Sequence, residues 1–250
     1  MLSGRKKSLV FFICLALAAI NCKNEPYENP TLGVSQLTSA RPTTRRSFHY
    51  HSMQLDAYTF TEGTTSSSMK LYYSGDQVTH ITYDSIETSK KISVLHYNGI
   101  NHIDTLKLID AAGTHILSIR SVTYNDAGKP VSVNVKTITE TGVTEKLAEL
   151  TWQDDNVVRL VNSDLSTGEK VLTGDVTIVY DSAPCVYATG PDYLFTLSLE
   201  DLFWLSKNNP ASFQQGEVTK EYTFWYNKIG YPSAFQVDTV TYEVSYVQVR

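Results

Sequence analysis

Tight-turn clusters, each preceded by an aromatic residue and flanked by alternating apolar and polar positions, recur along most of this 250-residue chain. A pattern of that kind leaves little room for anything but antiparallel β structure. The stretch Ser118–Thr137 shows it most fully. Apolar positions alternate up to Tyr124, the cluster Asn125, Asp126, Ala127, Gly128 interrupts them, and alternation resumes at Val131, Val133 and Val135. Gly128 can take the positive φ of a tight reversal, and Pro130 opens the return strand where a missing N–H costs least.

The hairpins form a degenerate repeat. Tyr73, Tyr97, Tyr124, Trp152 and Tyr180 each precede a turn, at separations of 24, 27, 28 and 28 residues, and the next such residue, Tyr226, lies 46 further on. One unit therefore carries an insertion. A unit of two strands cannot shelter its apolar face alone, so sequential pairing with its neighbours is the economical solution. The expected fold is all-β: one long antiparallel meander over 47–250, curled by its twist into a half-barrel or open barrel.

The insertion, placed at 181–216, departs from strand periodicity. Ser198 followed by Leu199, Glu200 and Asp201 reads as a helix start with acids in its first turn, and Asn208-Asn209-Pro210 reads as its stop. Leu199, Leu202, Phe203 and Leu205 are too apolar for solvent, which predicts a short helix packed inside the curled sheet.

Targeting comes from the N-terminus. Arg5, Lys6 and Lys7 precede an apolar run, Leu9–Ile20, too short for a permanent transmembrane helix, so 1–21 reads as a signal peptide. The run ends at Ala18-Ala19-Ile20-Asn21-Cys22, which resembles a lipobox, and makes Cys22 the expected lipidation site and membrane anchor. Residues 22–46, with Pro26, Pro30 and Pro42, read as the lipidated cysteine and a flexible tether. The predicted location is the outer membrane, lipid-anchored on its periplasmic or cell-surface face. Transmembrane strands are disfavoured, because the second face carries Thr79, Thr82, Ser132, Asn134, Lys136, Thr177, Glu221 and Thr223.

The formal charge is -5, and removing 1–21 deletes three cations and no acid, leaving -8. That balance argues against a nucleic-acid partner, which needs a clustered basic surface. Once Cys14 leaves with the signal and Cys22 takes lipid, only Cys185 remains, a small buried hydrophobe rather than a nucleophile.

Tyr-Asp-Ser-Ala-Pro at 180–184, the segment ending Leu205-Ser206-Lys207-Asn208-Asn209-Pro210, and Tyr226-Asn227-Lys228-Ile229-Gly230-Tyr231-Pro232 before Tyr242–Val249 resemble an uncharacterised Bacteroidota lipoprotein family described as having a porin-like fold. The upstream hairpins also resemble tyrosine-aspartate repeats. The resemblance spans about residues 50 to 250. It implies a curved antiparallel sheet around a short helix and an envelope location, and it brings no active-site residues.

Catalytic and metal motifs are missing. There is no phosphate loop, nucleophile elbow or paired-cysteine zinc spacing. His49 and His51 share a strand face but need a third ligand, and Asp154-Asp155 and Glu200-Asp201 read as solvated acids rather than acid–base pairs. Trp204, Trp225 and Tyr226 are the candidate ligand-binding aromatics, with Tyr72 and Tyr73 of the same type; strand-end aromatics also serve packing. The expectation is a non-enzyme without cofactor or metal. It acts as a binding or scaffolding subunit, beside an outer-membrane transport or assembly complex. The alternative is a carrier or receptor for an apolar or glycan ligand held in the curled sheet.

Overall fold

The computed structural model describes residues 32–51, 54–85, 88–99, 102–186 and 198–248. The signal peptide and Cys22 lie outside the described residues. Sixteen strands form one closed antiparallel barrel: β1 Leu32–Ala40, β2 Thr43–His51, β3 Gln54–Glu62, β4 Thr65–Ser74, β5 Gln77–Ser85, β6 Thr88–Tyr97, β7 Ile103–Asp110 and β8 Ile116–Tyr124, then β9 Pro130–Thr139, β10 Gly142–Gln153, β11 Asn156–Asp164, β12 Val171–Pro184, β13 Asn208–Gln215, β14 Val218–Tyr226, β15 Pro232–Val237 and β16 Val240–Gln248. Each strand pairs with its neighbours in sequence, and β1 pairs with β16 from Leu32↔Gln248 to Ser39↔Tyr242.

Several expectations are corrected here. The sheet is a closed barrel, not a half-barrel, because residues assigned to the tether supply β1 and the first four residues of β2, and β1 saturates the edge that β16 would otherwise expose. The stretch His49–Thr61 is the end of β2 and most of β3 rather than one strand. The insertion is shorter than 181–216, since β12 runs to Pro184 and β13 starts at Asn208. Its helix, Leu199–Leu205, is a 3-10 helix of seven residues.

Alternate residues face inward and pair across neighbouring strands: Leu37 with Val244, Leu71 with Ile81, Val122 with Val133, Leu150 with Leu160. All of these are buried in one core. The helix lies within this wall. Leu199, Leu202, Phe203 and Trp204 are buried, and Trp204 packs on Tyr222 of β14 and Phe235 of β15, with ring centroids 5.8 and 6.0 Å away. It is a plug, as its apolar content demanded.

One end of the barrel is closed by a device repeated around its circumference. At this end, where β2 turns into β3, β4 into β5 and so on, each even-numbered strand carries an inward aromatic residue at or near its end. A one-residue register shift directly precedes every one of them: at Tyr50, Tyr73, Tyr97, Tyr124, Trp152, Tyr180, Tyr226 and Tyr246. Such bulges bend a strand and tighten its twist, drawing this end inward. The paired strands also splay here, leaving carbonyls without ladder partners, and the aromatic tips satisfy them.

Tyr50 donates to Val34 O at 3.1 Å, Tyr73 to Leu55 O at 2.8 Å, Tyr97 to Val78 O at 3.1 Å and Tyr124 to Ile103 O at 2.7 Å. Trp152 Nε1 donates to Pro130 O at 2.7 Å, Tyr180 to Val157 O at 2.8 Å and Tyr246 to Pro232 O at 2.8 Å. Burial raises the hydroxyl pKa of Tyr50, Tyr73, Tyr180 and Tyr246, so these tips stay protonated donors at every physiological pH. The eighth member, Tyr226, differs because the plug enters between β12 and β13. Its hydroxyl donates to the Asp181 carboxylate and accepts from Asn209 Nδ2.

This latch explains the sequence repeat: the aromatic before each turn ties together the two strands behind it. Tyr73→Phe keeps the ring and strands the Leu55 carbonyl, so it is expected to cost roughly 1–2 kcal/mol in urea unfolding. Tyr72→Phe, one residue away and facing outward, serves as the control. Equal losses at the two positions would refute the latch.

Turn chemistry follows the expected residues. Gly128 has φ +75°, and a Cβ there would meet His102 Cε1 at 2.6 Å, so both backbone and space demand glycine. Asn125 and Asn227 each organise a turn before a strand-opening proline: their Oδ1 atoms accept from Ala127 and Lys129 N–H, and from Ile229 and Tyr231 N–H.

Candidate binding cavity beside the plug

The outer surface decides what surrounds the barrel. Outward positions include Lys70, Thr79, Ser121, Lys136, Arg159, Thr177, Glu221, Thr223 and Glu243, and charged pairs cross neighbouring strands there. Arg159 of β11 holds Asp175 of β12 in a fork, Nε at 2.8 Å and Nη2 at 2.6 Å, and Lys170, just before β12, reaches over β11 to Glu149 of β10 at 2.5 Å. A lipid-facing belt cannot hold charges at this density. Apolar residues are inside and polar ones outside, the reverse of a water-filled membrane pore.

The inside is filled toward the latched end and looser toward the other. There a cavity of about 280 Å³ lies between the plug and the wall from β10 to β13, lined by Lys146, Asn162, Ser163, Asp164, Thr173, Gly174, Val176, Leu199, Glu200, Phe203, Phe213 and Gln215. The strand pattern places these groups: Lys146 faces Asp164 across β10 and β11, and Asn162 faces Gly174 across β11 and β12. Phe203 of the plug and Phe213 of β13 form an aromatic floor, centroids 6.2 Å apart. Ser166 holds the Asp164 carboxyl below the usual carboxylate range, through hydroxyl and backbone N–H together, with Lys146 contributing less, so Asp164 is ionised.

One polar atom facing the cavity, Asn162 Oδ1, is buried without a hydrogen-bond partner among the described residues; Ser163 Oγ, likewise without one, lies on the opposite face of β11, where Ser163 pairs with Leu147 and Leu172. Each such group costs about 1–3 kcal/mol unless something fills the space. Gly174 is the other anomaly. It sits inside a 14-residue strand, has no positive φ to require glycine, and faces the cavity. A Cβ there would approach Gln215 Nε2 at 3.3 Å and Asn162 Cβ at 3.8 Å, so the missing side chain is what keeps the space open.

The plug is fixed on its other side by a hydrogen-bond network. Ser206 Oγ accepts from Val157 N–H at 2.9 Å and donates to Tyr180 Oη at 2.7 Å, while Asn156 and Asn208 exchange bonds at 3.0 Å in each direction. Deeper in the barrel, burial lowers the Arg120 guanidinium to about 10, partly offset by the electrostatic influence of Tyr83 and Glu200.

The three candidate aromatics do not share a site. Trp204 is core, Trp225 is 44% exposed on the outer face, and Tyr226 belongs to the latch ring. Asp154 and Asp155 form a tight turn with φ of 49° and 67°, and Asp155 meets Lys129 at 2.5 Å. His49 and His51 are exposed on β2. Among the described residues no three His, Cys, Asp or Glu side chains converge as a metal site. Cys185 is buried, its Sγ 3.7 Å from Trp204 O. The cavity residues went unread in the sequence, although glycine within the alternating run 171–184 marks the place.

Fold and polarity thus define a closed, porin-shaped barrel with a plugged, water-compatible design. No family model and no curated protein matches the sequence. Among solved structures the chain is similar to a porin-like protein from Bacteroides uniformis, with 14% identity, 86% of this chain and 98% of that chain covered, and a TM-score of 0.55. It is also similar to a porin-like protein from Bacteroides vulgatus, with 12% identity, the same coverages and a TM-score of 0.41. The first of these establishes a porin-like fold, as the family resemblance implied, and nothing about activity.

Proposed function

We propose that this chain is an outer-envelope lipoprotein whose barrel is a non-catalytic binding vessel, with a small ligand held beside the plug. The observation carrying this reading is the cavity that Gly174 leaves open, bordered by the unpartnered Asn162 Oδ1. At about 280 Å³ it lies just under the range of drug-sized sites, and its wall is mixed polar and aromatic rather than purely apolar. Anchoring through Cys22 fits the charged exterior, because a barrel that cannot enter lipid needs another means of staying at a membrane. Leu32 begins β1 at the latched end, so the chain toward Cys22 leaves from there. The nine residues 23–31 reach at most about 30 Å, which turns the looser end and its cavity away from the bilayer.

A scaffolding role beside an outer-membrane complex is the second reading. It is favoured by exposed apolar side chains near the rim at the looser end, Ile138, Val143, Val171, Leu172 and Val218.

Fractionation tests the location. The natural chain is expected in membranes and released only by detergent, and Cys22→Ser is expected to prevent lipid attachment, read as loss of palmitate label. Absence of label on the natural chain would overturn the anchor. A barrel whose outer face is cleaved by no protease in intact membranes, at any accessible turn, would overturn the water-facing design.

A further inference from the structure

We infer that the cavity beside the plug takes a neutral polyhydroxylated ligand the size of one sugar ring; this rests on the binding-vessel reading above. The charges around the cavity are already matched. Lys146 stands opposite Asp164 on paired strands, and Glu200 lies within the electrostatic reach of Arg120. A strongly cationic or anionic ligand would therefore break a balance instead of completing one.

What remains is hydrogen bonding of both kinds. Asn162 Oδ1 can only accept, and Lys146 and the Gln215 amide supply donors. Hydroxyl groups, each both donor and acceptor, fit such a wall better than an amine or a carboxylate. Phe203 and Phe213 add an apolar floor, and an aromatic face carries the negative side of its quadrupole, which attracts the C–H face of a sugar ring. The glycine at 174 lets the ring lie close to the β12 backbone.

The test is calorimetric titration of the full chain in a non-glycosidic detergent. The probes are glucose, galactose and N-acetylglucosamine, with glucuronate, glucosamine and decanoate as charged and apolar counterparts. Gly174→Val fills the cavity with a residue that strands favour, and circular dichroism with thermal unfolding checks that it folds. Saturable binding of a neutral sugar, weakened at least tenfold in Gly174→Val and also in Asn162→Ala, is the expected result. Binding of decanoate or a charged probe, lost in Gly174→Val while neutral sugars do not bind, overturns the ligand class and leaves the vessel intact. If no probe binds and an experimental structure shows only ordered water on Asn162, both inferences fall.

Discussion

Trp204→Ala is expected to destabilise the barrel by about 3–5 kcal/mol. The indole is 8% exposed and lies edge-on to Tyr222 at an interplanar angle of 89°, with Phe203 and Phe235 against it. Truncation leaves a void that the wall cannot close, because β14 and β15 are held in register by their ladders to both neighbours. Leu202→Ala, with no exposed surface in the folded state, is expected to follow at about 2–5 kcal/mol. Trp225→Ala is the matched control: the same deletion on the outer face should stay within about 0.5 kcal/mol. Urea unfolding followed by far-ultraviolet circular dichroism reads all three. A Trp204→Ala loss no greater than that of Trp225→Ala would mean that the plug is not part of the cooperative core.

The plug was legible because its chemistry is local. Five apolar residues within seven, between an acidic start and a proline stop, have to be buried, and in a β protein the interior is the place available. The helix type was less legible, since seven residues offer only two turns and i, i+3 contacts such as Asp201 N–H to Ser198 O satisfy them. The hairpins were legible for the same local reason, through aromatic residue, turn cluster and alternation, and the latch bonds now give that recurrence its physical cause.

Closure was not legible, because no residue signals it alone. It depends on β1 meeting β16 across almost the whole chain, and β1 hides its own period: the bulge at Ser35 puts the buried Val34 and Leu37 three apart. Pro42 and the pair Arg45-Arg46 then gave the region a linker's composition, although Arg46 faces inward opposite Leu37. β13 was concealed by Pro210, which a strand interior would reject. It is tolerated here beside a register shift, opposite Tyr180. The cavity has no motif at all, since its wall is assembled from four strands and the plug. Its one trace in the sequence is a glycine where a β-branched residue would have served the strand better.

Replacing Asp201 by asparagine is expected to stabilise the protein near neutral pH, an unusual sign for a substitution inside a core. Asp201 lies in the first turn of the plug, half-buried as a residue, with its carboxylate accepting from Ser198 Oγ at 2.8 Å. Loss of hydration raises its pKa to about 6. Ser198 and the charge of Arg46 pull the other way, and Glu200 adds repulsion. In the unfolded chain an aspartate titrates near 3.9, so between about pH 4 and 6 the folded state holds a proton that the unfolded state has lost. Stability from this group therefore falls as pH rises through that window, and by pH 7 the accumulated penalty is about 2–3 kcal/mol. Asp201→Asn keeps an acceptor for Ser198 and removes the titration.

The difference in unfolding free energy between variant and natural chain should be about 2–3 kcal/mol at pH 7 and shrink toward zero by pH 4. Taking the difference matters, because Asp110, Asp155, Asp164 and Asp175 have lowered pKa values and withdraw their own stabilisation only as acid drives pH below the ordinary carboxylate range. Those contributions are common to both proteins and cancel. A difference that stays constant from pH 4 to 7, or a variant less stable at pH 7, would show that Arg46 already compensates the carboxylate. A carboxylate held at such a cost on the plug, next to the cavity-lining Glu200, is easier to understand in a vessel whose interior must stay polar than in a barrel optimised only to fold.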